Sequence, residues 1–89
     1  MTGKEFEKQM SVLQTMLLTK EHGDRVPQKE WSGFVHIVIS CMKDAFVKGE
    51  SGSGVPGMIE KMETADNPLA SAVASAMEWS YRQGLEARG

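Results

Sequence analysis

The sequence of 89 residues predicts an all-α fold, a small bundle of three main helices and one short helix around a central apolar helix. Apolar residues recur at helical spacing along three stretches, and proline, glycine and asparagine stand where helices begin and end. A bundle of this size fits a single helical domain, which we place at residues 1–89. So small a domain buries only about 60 to 65 % of its unfolded surface, and association with a partner would therefore add stability.

The central helix is predicted at residues 28–48. At about 100° per residue, its apolar side chains span an arc of roughly 200°, so the helix needs cover on two sides. The main apolar face consists of Trp31, Phe34, Val35, Val38, Ile39, Met42, Ala45 and Phe46, with Ile37 and Cys41 at its edge. A β-strand is the competing interpretation because of the β-branched run 35–39, but apolar and polar residues do not alternate there. Pro27 suits the first turn of this helix, and Asp44 and Lys48 are spaced for an ion pair in its last turn.

The first helix is predicted at residues 3–21. Thr2 stands three residues before Glu5, which is the spacing of a capping box. Gly23 suits the C-terminal stop, because glycine adopts the left-handed conformation without a steric clash. The apolar stripe of this helix consists of Phe6, Met10, Leu13, Met16 and Leu17, with Val12 at its edge.

Residues 49–56 are rich in glycine and serine and predict a flexible loop. This loop does not have the Gly-Lys-Ser/Thr ending of a phosphate-binding loop, so we do not expect it to bind a nucleotide. A short helix is predicted at residues 57–64. Asn67 and Pro68, a side-chain cap followed by a proline at the first helical position, predict the start of the last helix, at 68–85.

The last helix carries small residues every four positions, Ala72, Ala76, Ser80 and Gly84, which predicts close packing against the central helix. It also carries two apolar seams. One consists of Leu69, Ala72, Val73, Ala76 and Trp79, and the other of Ala70, Ala74, Met77, Tyr81 and Leu85. One seam is enough to dock the helix. The second seam either packs against the first helix or is offered to another chain, for which a homodimer is the simplest use. Gly84 could end the helix early and shorten that seam.

Composition and charge exclude several functional classes. The net charge is −2 and the sequence pI is about 5.6, with no run of lysine or arginine, so we do not expect nucleic acid as a partner. The apolar runs are too short for a membrane span or a signal peptide, and we expect an acidic cytoplasmic protein that does not contact membranes. The single cysteine, Cys41, lies on the apolar arc and is expected to be a buried structural thiol.

No set of residues converges on a reaction. His36 lies one turn from Ser40, but an orienting third group and an oxyanion site are missing, so we expect a surface or interface histidine. Glu21, His22 and Asp24 lack a second histidine or cysteine at metal-ligand spacing. We therefore expect a protein that is not an enzyme and has no metal site, catalytic residue or cofactor.

The function that remains is a small protein-binding module, an adaptor, subunit or inhibitor of a larger protein complex that acts by helix-face contacts. By analogy of type, such compact acidic proteins also occur among inhibitors encoded by phages and other mobile elements. Methionines adapt to irregular partner surfaces, and an acidic cluster attracts a basic partner. The residues expected to bind the partner are Met58, Glu60, Met62, Glu63, Met77, Trp79, Tyr81 and Leu85. The alternative is a DNA-associated transcriptional regulator of helical type, but the connector before the helix at 57–64 is long and that helix is acidic.

Overall fold

The structure, a computed structural model, describes residues 1–19, 27–52, 57–64 and 67–88, and within the third range it leaves the side chains of Met58, Glu60, Met62 and Glu63 undescribed. The elements in these ranges are all α-helices. They are α1 (Gly3–Thr19), α2 (Gln28–Ser51), α3 (Gly57–Thr64) and α4 (Pro68–Arg88). The predicted all-α class and the bundle of three main helices are confirmed.

The helix starts follow local signals in the sequence. Thr2 Oγ1 accepts a hydrogen bond from the backbone N–H of Glu5 at 3.2 Å, and the hydroxyl lies 3.2 Å from the Glu5 carboxylate. Asn67 Oδ1 accepts from the backbone N–H of Leu69 at 2.9 Å. Pro27 occupies the N-cap position of α2. The side chains of Thr2 and Asn67 each accept a hydrogen bond from a backbone N–H that the first helical turn leaves unpaired, and Pro27 has no backbone N–H to pair.

The end of α2 differs from the prediction. The helix continues to Ser51, so residues 49–51, which we predicted as the start of a flexible loop, are helical. Gly52 is the C-cap, with φ 75°, and its N–H donates to the carbonyl of Gly49 at 3.2 Å. A left-handed C-cap is the conformation that glycine adopts most readily. The rest of the predicted loop, 53–56, lies outside the described residues.

Gly49 and Gly84 are helical because α2 and α4 cross at these two residues. An ideal Cβ on Gly49 would overlap the carbonyl oxygen of Tyr81 and lie 2.9 Å from the backbone nitrogen of Leu85. A Cβ on Gly84 would overlap the carbonyl oxygen of Phe46. The two backbones therefore touch with no side chain between them. Packing at this contact offsets the roughly 1 kcal/mol by which each glycine weakens a helix. The helix α4 continues to Arg88, past its predicted end at residue 85.

A first hydrophobic cluster, which we call the α4 cluster, fills the space between α2, α3 and α4. Its buried members are Ala45, Ile59, Val73, Ala74, Met77 and Tyr81, with Phe34, Val38 and Cys41 packed against them. The N-terminal half of α2 thus packs beside the N-terminal half of α4, while Gly49 meets Gly84 further along. The two helices therefore run in the same direction.

A second cluster, the α1 cluster, lies on the other side of α2. Its buried members are Phe6, Met10, Val35, Ile39, Met42 and Phe46. Phe6 meets Phe46 near one end, and the indole N–H of Trp31 donates to the carbonyl of Leu17 at 2.8 Å near the other, so α1 runs antiparallel to α2. The prediction that the central helix needs cover on two sides is confirmed.

The predicted small-residue seam of α4 takes part in the helix crossing only in its second half. Ser80 and Gly84 are buried, and the Ser80 hydroxyl donates to the carbonyl of Ala76 at 2.9 Å, so it enters the contact without an unsatisfied polar group. Ala76 is half-buried and Ala72 is exposed. The buried face of α4 is rotated from the predicted seam toward Val73 and the other members of the α4 cluster.

The helix crossing predicts opposite effects for one substitution at two glycines of α2. Gly49→Ala places a methyl group into the backbone of α4 and should cost about 1 to 3 kcal/mol of unfolding free energy. Gly33→Ala meets nothing within 4 Å and should raise stability by about 0.5 to 1 kcal/mol. Urea unfolding of both variants checks this. Stabilisation by Gly49→Ala would show that the two backbones are not in contact.

The two phenylalanines of α2 should differ in how much stability their replacement by alanine costs. Phe46 is 3 % exposed, so Phe46→Ala should cost about 3 to 5 kcal/mol. Phe34 is half-buried beside the α4 cluster, so Phe34→Ala should cost clearly less. Thermal melts of the two variants measure the order. Equal losses would mean that Phe34 is more deeply packed than this arrangement allows.

Candidate functional site

A groove of about 530 Å³ runs between α1 and the side chain of Trp79 on α4. Its lining is mainly apolar, with polar groups along one rim. The lining residues are Glu5, Lys8, Gln9, Met10, Val12, Leu13, Met16 and Trp79. A concave, mostly apolar surface with a few polar groups is the typical form of a binding site in a protein.

The aromatic wall of the groove is held by the α1 cluster. The rings of Trp79 and Phe6 stack at a centroid distance of 6.2 Å and an interplanar angle of 29°. Phe6 in turn stacks on Phe46 at 4.1 Å and 14°. Such aromatic pairs add about 0.5 to 1.5 kcal/mol each beyond the area that they bury. Trp79 remains 40 % exposed, so a fixed indole ring stands at the edge of the groove.

The opposite wall comes from two apolar side chains of α1 that the fold leaves uncovered. Val12 is 53 % and Met16 61 % exposed. At 100° per residue, these two residues lie about 120° and 80° around the helix from the buried Phe6. The prediction that Met16 belongs to the core stripe is wrong, because α2 covers only the face of α1 that carries Phe6. That angular offset is the signal in the sequence that could have identified the exposed face.

Val12 and Met16 form a ridge between two depressions. One is the groove beside Trp79, and the other is a shallower hollow of about 290 Å³ lined by Ser11, Val12, Thr15 and Met16. Residues four apart form the ridges with which helices pack into the grooves of their neighbours. This face of α1 therefore has the relief of a helix-packing surface, and none of the described helices packs on it.

The polar rim of the groove carries one charge of each sign. Glu5 and Lys8 lie at the N-terminal end of α1, three residues apart, and both are exposed. The Glu5 carboxylate also takes part in the cap with Thr2. The charges of these two described residues cancel, and the apolar walls are the dominant feature of the groove.

Of the four partner-binding residues that we predicted on α4, two are buried and two are exposed. Met77 and Tyr81 are 2 % and 8 % exposed inside the α4 cluster, because α2 and α3 cover the seam on which they lie. Neither side chain can reach a partner while the chain is folded in this way. Trp79 lines the groove. Leu85 is 41 % exposed but lies about 120° around α4 from Trp79, so the two do not share a face.

The remaining predicted binding residues lie outside the description. The side chains of Met58, Glu60, Met62 and Glu63 are among those that the structure leaves undescribed, as are Glu21, His22 and Asp24. The binding roles predicted for the four α3 residues therefore remain predictions.

His36 takes part in a hydrogen bond between α1 and α2. The Nε2 amide of Gln14 donates to His36 Nδ1 at 2.9 Å, which links the exposed sides of α1 and α2.

Within the described residues, no group of three or more histidine, cysteine or acidic side chains is placed to hold a metal ion. Among the described helices, none has the length and hydrophobicity needed to cross a membrane.

The two methionines of α1 at the groove provide a matched test of burial. Met16→Gln changes an exposed side chain and should alter the unfolding free energy by no more than about 0.5 kcal/mol. Met10→Gln places an amide where the side chain is 2 % exposed and should cost about 2 kcal/mol or more. Urea unfolding followed by circular dichroism measures both. A large loss for Met16→Gln would mean that Met16 is part of the core and that the groove is closed.

No protein-family model matches the chain, and no curated protein or solved structure is significantly similar to it. The shape and chemistry of the groove are therefore the basis for assigning a function.

Proposed function

We propose that this chain is a small protein-binding module, an adaptor, subunit or inhibitor, and that it binds its partner in the groove between α1 and Trp79. The single observation behind this proposal is the exposed apolar surface made by Val12, Met16 and Trp79 around that groove. Binding of this kind uses helix-face contacts and involves no chemical step.

The residue types at the groove favour a protein partner. Tryptophan is among the residues that contribute most to protein interfaces, and Trp79 is already fixed by Phe6, so little ordering entropy is lost when a partner contacts it. Methionine adapts its shape to irregular apolar surfaces. Met16 and Trp79 therefore combine an adaptable wall with a rigid one.

The size of the groove fits a helix. Its lining runs from Glu5 to Met16 along α1, which at 1.5 Å per residue is about 16 Å, or three helical turns. An amphipathic helix binds such a groove through apolar side chains at positions i, i+3, i+4 and i+7.

Charge disfavours nucleic acid as the occupant. Binding to phosphates needs an excess of lysine and arginine, and the rim offers the ammonium group of Lys8 beside the carboxylate of Glu5. The net charge of the chain is −2. We therefore propose a protein partner and not the DNA-associated alternative.

Photo-crosslinking from the groove tests the proposal. A photoreactive phenylalanine analogue replaces Met16, or in the control Ile37 of α2, which is 62 % exposed and outside the groove. Each variant is expressed in cells that encode the protein, and the adducts are identified by mass spectrometry. We expect the Met16 position to give a discrete protein adduct that the Ile37 position does not give, because only Met16 lines the groove.

Two outcomes of this experiment would contradict the proposal. Equal labelling from Met16 and Ile37 would show nonspecific contact and would remove the groove as the binding site. Recovery of nucleic acid from the Met16 position would replace the proposed function with the DNA-associated one.

A further inference from the structure

We infer that Met16 is a reversible oxidation site of this chain and that its sulfoxide weakens binding in the groove. The effect on binding rests on the proposed function, since it concerns the occupancy of the same groove. The choice of Met16 as the oxidation site rests on burial and position. Its side chain is 61 % exposed and lies between the groove and the hollow beside it.

The other methionines whose side chains the structure describes are covered by the fold. Met10, Met42 and Met77 are buried in the two clusters, and Met1 is half-buried against the α1 cluster. A buried side chain reacts only when the structure around it opens, and that opening costs free energy. Met16 needs no such opening. Of these thioethers, Met16 is therefore the one that a dissolved oxidant reaches most easily in the folded chain.

Hydrogen peroxide is the oxidant for this step. One peroxide oxygen forms a bond to the sulfur of Met16 as the O–O bond breaks, and the other oxygen leaves with both hydrogens as water. The sulfur is oxidised by two electrons, and the peroxide is reduced by the same two. Methionine sulfoxide reductases reverse the reaction, and the exposed position of Met16 gives these enzymes access to the sulfoxide.

The sulfoxide changes the chemistry of the groove wall. Oxidation replaces a flexible apolar thioether with a polar group that accepts hydrogen bonds from water. The neighbouring walls are the apolar side chains of Val12, Leu13 and Trp79. A partner that covers Met16 removes the water from the sulfoxide, and burying a polar group beside apolar walls costs free energy. We therefore expect oxidation to weaken binding by about tenfold.

Peptide mapping of the purified full chain tests the oxidation site. After partial reaction with hydrogen peroxide and removal of the excess by catalase, mass spectrometry gives the sulfoxide fraction at each methionine. In the folded chain, Met16 should react about tenfold faster or more than Met10, Met42 and Met77, whereas in urea the four should react at similar rates. Equal rates in the folded chain overturn the inference.

Crosslinking tests the effect of the sulfoxide on the groove. The photoreactive phenylalanine analogue replaces Val12, which lines the groove with Met16. The purified chain, before and after peroxide treatment, is irradiated below saturation in a gel-filtered lysate of cells that encode the protein. The yield of the protein adduct should fall by about tenfold on oxidation. It should return after treatment with methionine sulfoxide reductases.

Two further variants assign the effect to Met16, each compared with its own untreated form. Met16→Leu removes the thioether, so peroxide should leave its adduct yield unchanged. Adding Ile37→Met to Met16→Leu puts a thioether at an equally exposed position outside the groove, and oxidation there should also leave the yield unchanged. A fall in yield for either variant overturns the inference, because binding would then depend on oxidation away from Met16.

The remaining outcomes separate the inference from the proposed function. Circular dichroism of the oxidised chain should show unchanged helix content, and a loss of helix overturns the inference because the effect would then be unfolding. Selective oxidation of Met16 with no fall in adduct yield overturns the effect on binding and leaves the proposed function standing. If neither the Val12 nor the Met16 position gives a protein adduct, the proposed function and the effect on binding are removed together.

Discussion

The close approach of α2 and α4 at Gly49 and Gly84 sets how the other helices pack. Because neither position carries a Cβ, the two backbones meet directly, and Ala45 and Ser80, one turn before Gly49 and Gly84, are fully buried. Interiors packed at this density lose stability when even one methyl group is added. The crossing therefore fixes the relative position of the two longest helices, and the apolar residues around it follow.

Once α4 is docked in this way, the two faces of α2 have different neighbours. The face toward the α4 cluster is covered by two helices, α3 and α4, whereas the opposite face is covered mainly by α1. α1 buries Phe6 and Met10 deeply and leaves Val12 and Met16 in solvent. The exposed apolar surface thus lies on the side of α1 that none of the described helices covers.

The aromatic stack connects that exposed surface to the core. Phe46 of α2, Phe6 of α1 and Trp79 of α4 lie one on another, so a ring in the groove is positioned by rings in the interior. A binding wall supported in this way loses little conformational freedom when a partner docks. The proposed binding site is therefore a consequence of how the described helices pack.

The helices and their starts follow from local sequence, because caps such as Thr2 and Asn67 act through backbone groups only two or three residues away. It also identified α2 as the central helix, since an apolar arc that wide needs two neighbours. Local sequence did not predict that Gly49 and Gly84 are contact points and not helix ends, or which apolar residues of α1 and α4 stay exposed, since helix packing sets both. The physical reason is that the effect of a glycine or an apolar side chain depends on the neighbour that covers it, and distant parts of the chain supply that neighbour.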